Sequence, residues 1–456
     1  MRNSWKVLTA AVTLTAVPLL AAAQAGQAPQ AAPAPQGPRG MPGQITGPVL
    51  TLADAEALAL KNHPQVQSVQ YQALASNQAV REQLSAYYPT VFGSVTGSLA
   101  DRESRIGAGF LTDSRLFNRF GQGITVDQLI TDSGRTPNLV ASSRLQAQAA
   151  QQNVQATRYD VLLAVNQAFF ETLRAQALLK VAQQTVAERQ VVADQVTAFV
   201  NNKLKSNLDL SFAEVNLAQA RLLLITTQNE INKAFAQLMR ALGSDTQQTY
   251  ALQEEPLPAA PSASADPLVT EAMTDRPELI GMRFNQEAAY KFQKAERDLS
   301  FPTVEGLGVA GYIPDIAQLT LPRVIPDHYE GAAININVPI FNGHLFAARR
   351  TAALMKARAA DQDLRNEQEL ITRDVRDAWA DSTTSYQQIG VADQLVNQAK
   401  LALALAQGRY NLGLSSIVEL NQAQLSETEA EIQDVNAKYD YQIQNAALQY
   451  QVGSLR

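Results

Sequence analysis

The chain contains two copies of one sequence pattern. In the first copy, Pro64 opens a run of helix-forming residues and Pro89 closes it, and in the second copy Pro277 and Pro302 do the same. The two pairs share one offset, because 277 − 64 = 213 and 302 − 89 = 213. A duplication of this length predicts two supersecondary units of the same kind, with structural and functional parts that occur in pairs.

The two copies stay aligned to their C-terminal ends. Asp209 matches Glu419 and Gly243 matches Gly453, at offsets of 419 − 209 = 210 and 453 − 243 = 210. The alignment slips by only 213 − 210 = 3 residues over a whole unit. Each position in one copy therefore has an identifiable counterpart in the other.

The first residues have the pattern of an export signal. Arg2 and Lys6 give a basic start, residues 7–20 are mainly apolar, and small residues follow. This pattern predicts a signal peptide over residues 1–23 rather than a membrane anchor, because a bilayer-spanning helix needs about 20 apolar residues. Residues 24–48 are rich in Gln, Ala, Pro and Gly, which predicts a disordered linker outside the fold.

Composition argues against several classes of protein. The chain has no cysteine, so packing without disulfides must stabilise it. The formal net charge is −6, or −6 − 2 = −8 once Arg2 and Lys6 leave with the signal, which argues against a nucleic-acid partner. His63, His328 and His344 are scattered and belong to no catalytic or metal-binding motif. We therefore predict no enzyme activity and no cofactor.

Each repeat contains a pair of predicted strands. In residues 334–338, Ile, Asn, Ile, Asn and Val alternate, which is the period of a strand with one apolar and one polar face. Glycine-spaced partners precede the alternating segments, with a polar loop between the two members of each pair. The first repeat, residues 49–255, has strands at about 90–100 and 119–130, and the second, residues 256–456, has them at about 303–312 and 329–341.

Helical periodicity fills the rest of both repeats. A helix precedes each strand pair, and a rod of some 60 residues follows it, roughly 90 Å long at 1.5 Å per residue. A short break separates each rod from one more helix. On the last helix, Leu425, Thr428, Ile432, Val435 and Tyr439 are spaced like a coiled-coil seam. The predicted helices are Thr51–Ala86, Asn138–Val200, Asp209–Leu242, Asp266–Leu299, Leu345–Tyr410 and Ile417–Val452.

These lengths predict an assembly. The two shorter helices of a repeat, stacked end to end, match its long rod, so one chain supplies four helical columns and four strands. No segment after the signal is apolar enough for a membrane helix, so a membrane protein of this sequence must cross with strands. About eight strands are the practical minimum for a barrel, and open edges are not tolerated in lipid. We therefore predict that the chain oligomerises.

Three segments resemble the outer membrane efflux protein family, the TolC-like channels. They are Asn62-His63-Pro64, residues 338–343 (VPIFNG) and residues 410–420 (YNLGLSSIVEL), and the resemblance covers Leu50 to Gly453. It implies a mainly α fold with β: long antiparallel coiled-coil helices and four transmembrane strands per chain. Three chains would then share a 12-stranded barrel, an even number as expected for such barrels, and a helical tunnel through the periplasm.

The resemblance also implies a function. Such a protein is an outer membrane channel of a tripartite efflux or type I secretion system in a Gram-negative-type bacterium, a passive conduit without enzyme activity. Its partners would be two further copies of itself, a periplasmic adaptor protein, an inner-membrane pump and outer membrane lipid. The alternative is a pore-free periplasmic coiled-coil scaffold, or an adhesion or structural protein, in which the alternating segments form a small soluble sheet.

By the same resemblance, the two faces of the strands have different surroundings. One set of side chains is expected to face lipid and the other a water-filled lumen. The lipid-facing set is Ile124, Val126, Ile334, Ile336 and Val338, and the lumen set is Thr125, Asp127, Asn335 and Asn337.

The breaks between the long helices would form a gate at the periplasmic entrance. Asp209 and Glu419 are expected to form carboxylate rings there, and the Tyr410 hydroxyl to bond Asp209. Ser415 and Gln422 stand where the best-known relatives have an arginine and an acid, so Arg409 and Lys205 are candidate substitutes. Two alternatives remain open: acids favoured at any helix N-terminus, and a tyrosine that only packs.

The same breaks would form the tips that meet the adaptor. The tip residues are Lys203 and Leu204 in the first repeat and Gly413 and Leu414 in the second. Gly413 suits the left-handed conformation of a turn between antiparallel helices, so a purely structural role is the alternative. The first tip has Lys203 at the matching position, with Asn201 and Asn202 as the residues able to take that conformation.

Overall fold

The computed structural model describes residues 47–98, 105–106, 114–115, 119–244, 250–313 and 328–455. The predicted signal peptide and nearly all of the predicted linker lie outside these residues, as does most of the loop within each strand pair.

The first repeat begins with two helices and a strand and ends with two long helices. Its elements are β1 (Val49–Leu50), α1 (Leu52–Asn62), α2 (Pro64–Leu84), β2 (Thr90–Ser98), β3 (Arg105–Ile106), β4 (Ser114–Arg115), β5 (Arg119–Thr131), α3 (Arg135–Asn201) and α4 (Asn207–Ala241).

The second repeat has the same order of helices and main strands. β6 (Ala251–Leu252) follows α4 at the end of the first repeat, and the elements of the second are α5 (Asp266–Asp275), α6 (Pro277–Asp298), β7 (Thr303–Tyr312), β8 (His328–Asn337), α7 (Leu345–Asn411) and α8 (Ile417–Val452). The predicted fold class, mainly α with β, is confirmed.

Each helix predicted before a strand pair is in fact two helices. The break falls at His63 (φ −67°, ψ 122°) and at Arg276 (φ −67°, ψ 120°), the residues before Pro64 and Pro277. A proline disfavours the helical conformation of the residue before it, and it then suits the first position of the next helix. The predictions of single helices over 51–86 and 266–299 were therefore wrong at these points.

Helix α3 is the central column of the structure. It contacts α2 and α6 along the half nearest the sheet, and α4 and α8 along the other half. Helix α7 lies against α6 and α8. At 67 residues each, α3 and α7 are about 100 Å long. The shorter helices thus stack along the long ones.

None of the helices in the described parts of the chain combines the length and the apolar character needed to cross a bilayer.

The buried face of α8 differs from the predicted heptad seam. Leu425 is exposed, whereas Leu420, Gln424, Ala430 and Tyr441 are buried. The facing helix α7 buries small side chains at seven-residue spacing, and small contact residues allow two helix backbones to approach closely. Counting large apolar residues missed this face because small and polar residues form much of it.

The four main strands form one antiparallel sheet in the order β2-β5-β7-β8. Each repeat supplies one hairpin, and β5 and β7 join the two hairpins. The predicted strand 329–341 ends at Asn337, because Pro339 has no N–H to donate, so Val338 lies outside the sheet. Strands β2 and β8 each have one edge without a partner strand among the described residues.

The register divides the predicted strand residues between the two faces. Ile124 pairs with Ala310 and Val126 with Gly308, and in the next pair of strands Gly306 pairs with Ile334. Because paired residues point to one side of a sheet, the even-numbered positions here share one face. That face includes Ile124, Val126, Ile334 and Ile336, and the opposite face includes Thr125, Asp127, Asn335 and Asn337.

Two glycines make room for a tyrosine on the face of Thr125. Gly123, Gly311 and Tyr329 lie side by side on three neighbouring strands. A Cβ at Gly311 would lie 2.3 Å from Tyr329 Cζ, and one at Gly123 would lie 2.5 Å from the Tyr329 hydroxyl. The ring therefore lies across both glycines.

We predict that Gly311→Ala displaces this ring and lowers the free energy of unfolding by about 1 kcal/mol. Gly93→Ala is the matched control, since a Cβ there meets nothing within 4 Å. Thermal unfolding in detergent, followed by circular dichroism, measures both. In a Tyr329→Ala background, Gly311→Ala should no longer destabilise, and an equal loss in both backgrounds would contradict the steric explanation.

Candidate functional site

The first tip, residues 201–206, is a tight turn between α3 and α4. The Leu204 amide donates to the Phe199 carbonyl at 2.8 Å, and the Lys203 amide donates to the Val200 carbonyl at 2.9 Å. This pair of bonds is the Schellman motif, which requires one left-handed residue after the helix. That residue is Lys203 (φ 59°), so the expectation of Asn201 or Asn202 was wrong. The position in the motif, and not the side chain, decides which residue becomes left-handed.

The second tip, residues 411–416, repeats this turn. The Leu414 amide donates to the Arg409 carbonyl at 2.8 Å, and the Gly413 amide donates to the Tyr410 carbonyl at 3.0 Å. Gly413 is left-handed (φ 74°), at the position of Lys203 in the first tip. The two repeats thus match even in the individual hydrogen bonds of their turns.

Both predicted gate acids lie at the start of the helix after a tip. The Asp209 carboxylate accepts hydrogen bonds from the Ser206 amide at 3.0 Å and from its hydroxyl at 2.7 Å, in a capping box. The Glu419 amide donates to the Ser416 hydroxyl at 3.4 Å, and the Glu419 side chain pairs with Arg409 at 3.2 Å. Each carboxylate is thus held within its own tip, and a role in a pore remains a prediction.

The helix pairs α3–α4 and α7–α8, each joined by a tip, are the two helical hairpins. Tyr410 is buried, with 1% of its surface exposed, in an apolar cluster to which both helical hairpins contribute. Its hydroxyl has no hydrogen-bond partner among the described residues, so the predicted bond to Asp209 is not formed. Burial and the negative charge of Asp209 both raise the pKa of Tyr410, which keeps the phenol neutral. The Lys205 ammonium lies 4.2 Å from the ring centroid, a cation–π contact between the hairpins.

The remaining predicted gate residues are not joined to these. The Ser415 hydroxyl is buried without a partner among the described residues. Gln422 lines a groove of about 340 Å³ between α3, α4 and α8, together with Phe212 and Leu425. Neither cationic substitute bonds Asp209, because Arg409 binds Glu419 and Lys205 lies over Tyr410.

This region also contains a buried cation that was not predicted from the sequence. Arg189, on α3, is 5% exposed and donates to the Gln424 carbonyl at 2.7 Å and to the Thr428 hydroxyl at 3.0 Å, both on α8. The sequence does contain a signal. Arg189 occupies a helical stripe with Thr185, Val192 and Val196, where an apolar residue is expected.

The two tips allow a reciprocal test of backbone strain. We predict that Lys203→Gly stabilises its tip by about 1 kcal/mol, because glycine adopts the left-handed conformation without a Cβ penalty, and that Gly413→Lys destabilises its tip by a similar amount. Hydrogen exchange of the tip amides, measured by mass spectrometry, should slow in the first variant and quicken in the second. A shift in the same direction for both would contradict the prediction.

Comparison with known proteins agrees with this geometry. The profile of the family described as outer membrane efflux protein matches the chain twice, over residues 57–244 and 268–454. Outer membrane protein TolC of Vibrio cholerae is 24% identical over 420 residues, which are 89% of this chain and 91% of that protein. Outer membrane efflux protein BepC of Brucella suis is 22% identical over 87% of this chain and 84% of its own length.

Solved structures show the same fold. A membrane protein of Pseudomonas aeruginosa superposes with a TM-score of 0.77 at 21% identity, over 88% of this chain and 90% of that one. The outer membrane protein VceC of Vibrio cholerae superposes with a TM-score of 0.73 at 17% identity, over 88% and 96% of the two chains. Because the two family matches cover most of the sequence and coincide with its two repeats, the chain belongs to the outer membrane efflux protein family.

Proposed function

We propose that three copies of this chain form an outer membrane channel that conducts exported compounds passively from a periplasmic adaptor and an inner-membrane pump. Membership of a family of outer membrane efflux channels supports this proposal. The observation that carries it concerns the two sides of one chain. Among the described residues, each side has a strand edge without a partner strand and a row of exposed apolar helix residues.

The sheet supports assembly through its edges. Backbone N–H and C=O groups along the free edges of β2 and β8 need partners in a membrane, because lipid supplies none. Pairing β8 of one copy with β2 of the next satisfies both edges. Three chains of four strands then close a barrel of about twelve, in the range known for outer membrane barrels.

The two faces of the sheet fit such a barrel. Ile124, Ile334 and Ile336 are more than half exposed in the single chain, on one face. Thr125 and Asn335 lie on the opposite face. An apolar outside and a polar inside are what a membrane barrel with a wet lumen requires.

The helical part has two exposed apolar seams on opposite flanks. Helix α4 lies beside α3 and α7 beside α8, with α3 and α8 in contact between them. On α4 the exposed apolar residues recur at steps of three, four and seven residues, as in a coiled coil, and α7 has a row of its own. They are Leu208, Phe212, Val215, Leu222 and Ile225 on α4, and Val391, Leu395, Leu401 and Leu405 on α7, with Leu412 directly after its end.

The two seams match in height when counted from the tips. Val215 and Leu401 each lie 12 residues from the left-handed residue of their own tip (215 − 203 and 413 − 401). Ile225 and Val391 each lie 22 residues from it (225 − 203 and 413 − 391). Lys205 and Tyr410, which lie two and three residues from those left-handed residues (205 − 203 and 413 − 410), are in contact, so the two tips of one chain lie at about the same height. We infer that α4 of one copy packs against α7 of the next.

The tips are the proposed entrance. Asp209 and Glu419, repeated by threefold symmetry, would line it with carboxylates and favour cations. Leu204 and Leu414 are 68% and 67% exposed, which suits apolar contacts with the adaptor. The helix caps and turns of the tips already fix the positions of the residues to which these roles are assigned.

A disulfide tests the proposed assembly directly, because the chain has no cysteine of its own. We predict that Val215→Cys combined with Leu401→Cys forms covalently linked trimers under mild oxidation, seen on a denaturing gel. The control is Val215→Cys with Val391→Cys, whose thiols are ten residues out of level, about 15 Å along a helix. Equal linkage in both, or monomers only, would contradict the proposed contact of α4 with α7.

Reconstituted protein in planar bilayers tests the channel. We expect stepwise conductance with a preference for cations, which Asp209→Asn with Glu419→Gln should weaken, moving the reversal potential in a salt gradient towards zero. Glu271→Gln, on α5, is the control for a lost carboxylate outside the tips. Unchanged selectivity would remove these acids from the pore, and a complete lack of conductance would favour the pore-free scaffold.

A further inference from the structure

We propose that Arg189 is the residue that holds the two helical hairpins together beside the entrance and thereby keeps the resting channel closed. The inference rests on the proposed channel function, and it replaces the bond from Tyr410 to Asp209 that the family resemblance led us to expect.

Arg189 links the hairpins through an acceptor that a mutation cannot easily remove. Its guanidinium donates to the main-chain carbonyl of Gln424, which also accepts a bond from the Thr428 hydroxyl at 3.1 Å, and to that hydroxyl itself. Arg189, Gln424 and Thr428 thus form a closed set of three hydrogen bonds across the contact of α3 with α8. Hydrogen bonds from a charged donor are stronger than those between neutral groups.

Because the contact is buried, breaking its hydrogen bonds without exposing Arg189 to water costs free energy. Arg189 and Gln424 are 5% and 2% exposed, and burial lowers the pKa of Arg189 although Glu188, Glu427 and Glu431 raise it. A guanidinium that loses its acceptors while still buried has no solvent to replace them. The hairpins must therefore either stay joined here or separate far enough to hydrate the charge, which favours two discrete states.

The charges around Arg189 belong to both hairpins. Glu188 lies beside it on α3, Glu427 and Glu431 lie on α8, and Lys400 on α7 pairs with Glu431 at 3.0 Å. Burial raises the pKa of Glu188 and of Glu427. The negative charges partly balance the guanidinium while the hairpins are together.

The other polar contacts between the helical hairpins near the tips lack a buried, charged hydrogen-bond donor. Gln195 and Asn411 form a neutral and exposed pair. Lys205 meets the face of Tyr410, whose hydroxyl is unpaired among the described residues. Further from the tips, Arg174 binds Asp440 at 2.8 Å, on the same two helices as Arg189. Arg174 is therefore a matched control, since it is an arginine between α3 and α8 that lies away from the entrance.

The test compares leak conductance of full-length channels in planar bilayers. We expect Arg189→Met to raise the open fraction roughly tenfold or more, the effect of losing a hydrogen bond to a charged group. Arg174→Met should leave the open fraction at the wild-type value. Arg189→Lys, which keeps the charge but replaces the planar guanidinium with a shorter side chain, should fall between wild type and Arg189→Met, and so should Thr428→Val, which removes one acceptor.

A second experiment distinguishes a contact that holds the channel closed from one that only stabilises the folded protein. In the cysteine-free chain, Gln195→Cys with Asn411→Cys allows a short reducible thiol cross-linker to join the hairpins. Cross-linking should be slower in Arg189→Met than in wild type, and the completed cross-link should close the leaky channel until it is reduced. A merely structural role predicts lower thermal stability in both arginine variants with no reversible closure.

The outcomes are distinct. Protein that conducts in no variant, Arg189→Met included, would refute the channel proposal itself. Wild-type channels with the same leak in Arg189→Met as in Arg174→Met would refute the role of Arg189. If Arg189→Met cannot be recovered folded, Arg189→Lys and Thr428→Val decide the matter, and wild-type leak in both would again refute it.

Discussion

Burial of α3 is the interaction on which the rest of the structure depends. This one helix packs against the paired shorter helices of both repeats, α2 and α4 from its own and α6 and α8 from the other. Val165 and Phe169 are fully buried near its middle, and Val196 is fully buried near the tips. Because α3 is continuous over 67 residues, it sets the distance between the sheet and the tips. The second long helix, α7, buries few large side chains in the single chain, and its apolar seam remains exposed.

The parts of the fold that the sequence predicted are those with a strong local pattern. Alternation of Ile and Asn predicted β8, and helical periodicity of the apolar residues predicted the long rods. The breaks at His63 and Arg276 were not predicted, although Pro64 and Pro277 follow them, because helical periodicity continues on both sides of each. The strand pair of each repeat was also predicted, but the order of the four strands, and so which of them lie at the edges, depends on contacts between repeats that no local pattern contains.

The candidate site was predicted less well, since its geometry depends on how two hairpins meet. Asp209 and Glu419 were located correctly at helix starts because capping is local. The predicted bond between Tyr410 and Asp209 is not formed, and the Asp209 carboxylate instead bonds Ser206, the N-cap residue three positions away. Arg189 was not predicted because it bonds a main-chain carbonyl oxygen. Every residue has such an oxygen, so the sequence does not show which one accepts the bond.

The duplication also shows where the two copies have diverged. α3 and α7 have the same length and the offset of 210 relates their first and last residues, so the counterpart of Arg189 is Ala399. Ala399 is buried, like Arg189, but it has no polar side chain to bond a neighbouring helix. In a threefold assembly, the contact of α3 with α8 inside a chain corresponds to the contact of α7 with α4 between chains. Only the contacts within chains would then contain the buried arginine, so the six contacts around the proposed entrance would alternate between contacts with this charge and contacts without it. Such alternation would let the contacts between chains hold the ring together while the contacts within chains open and close.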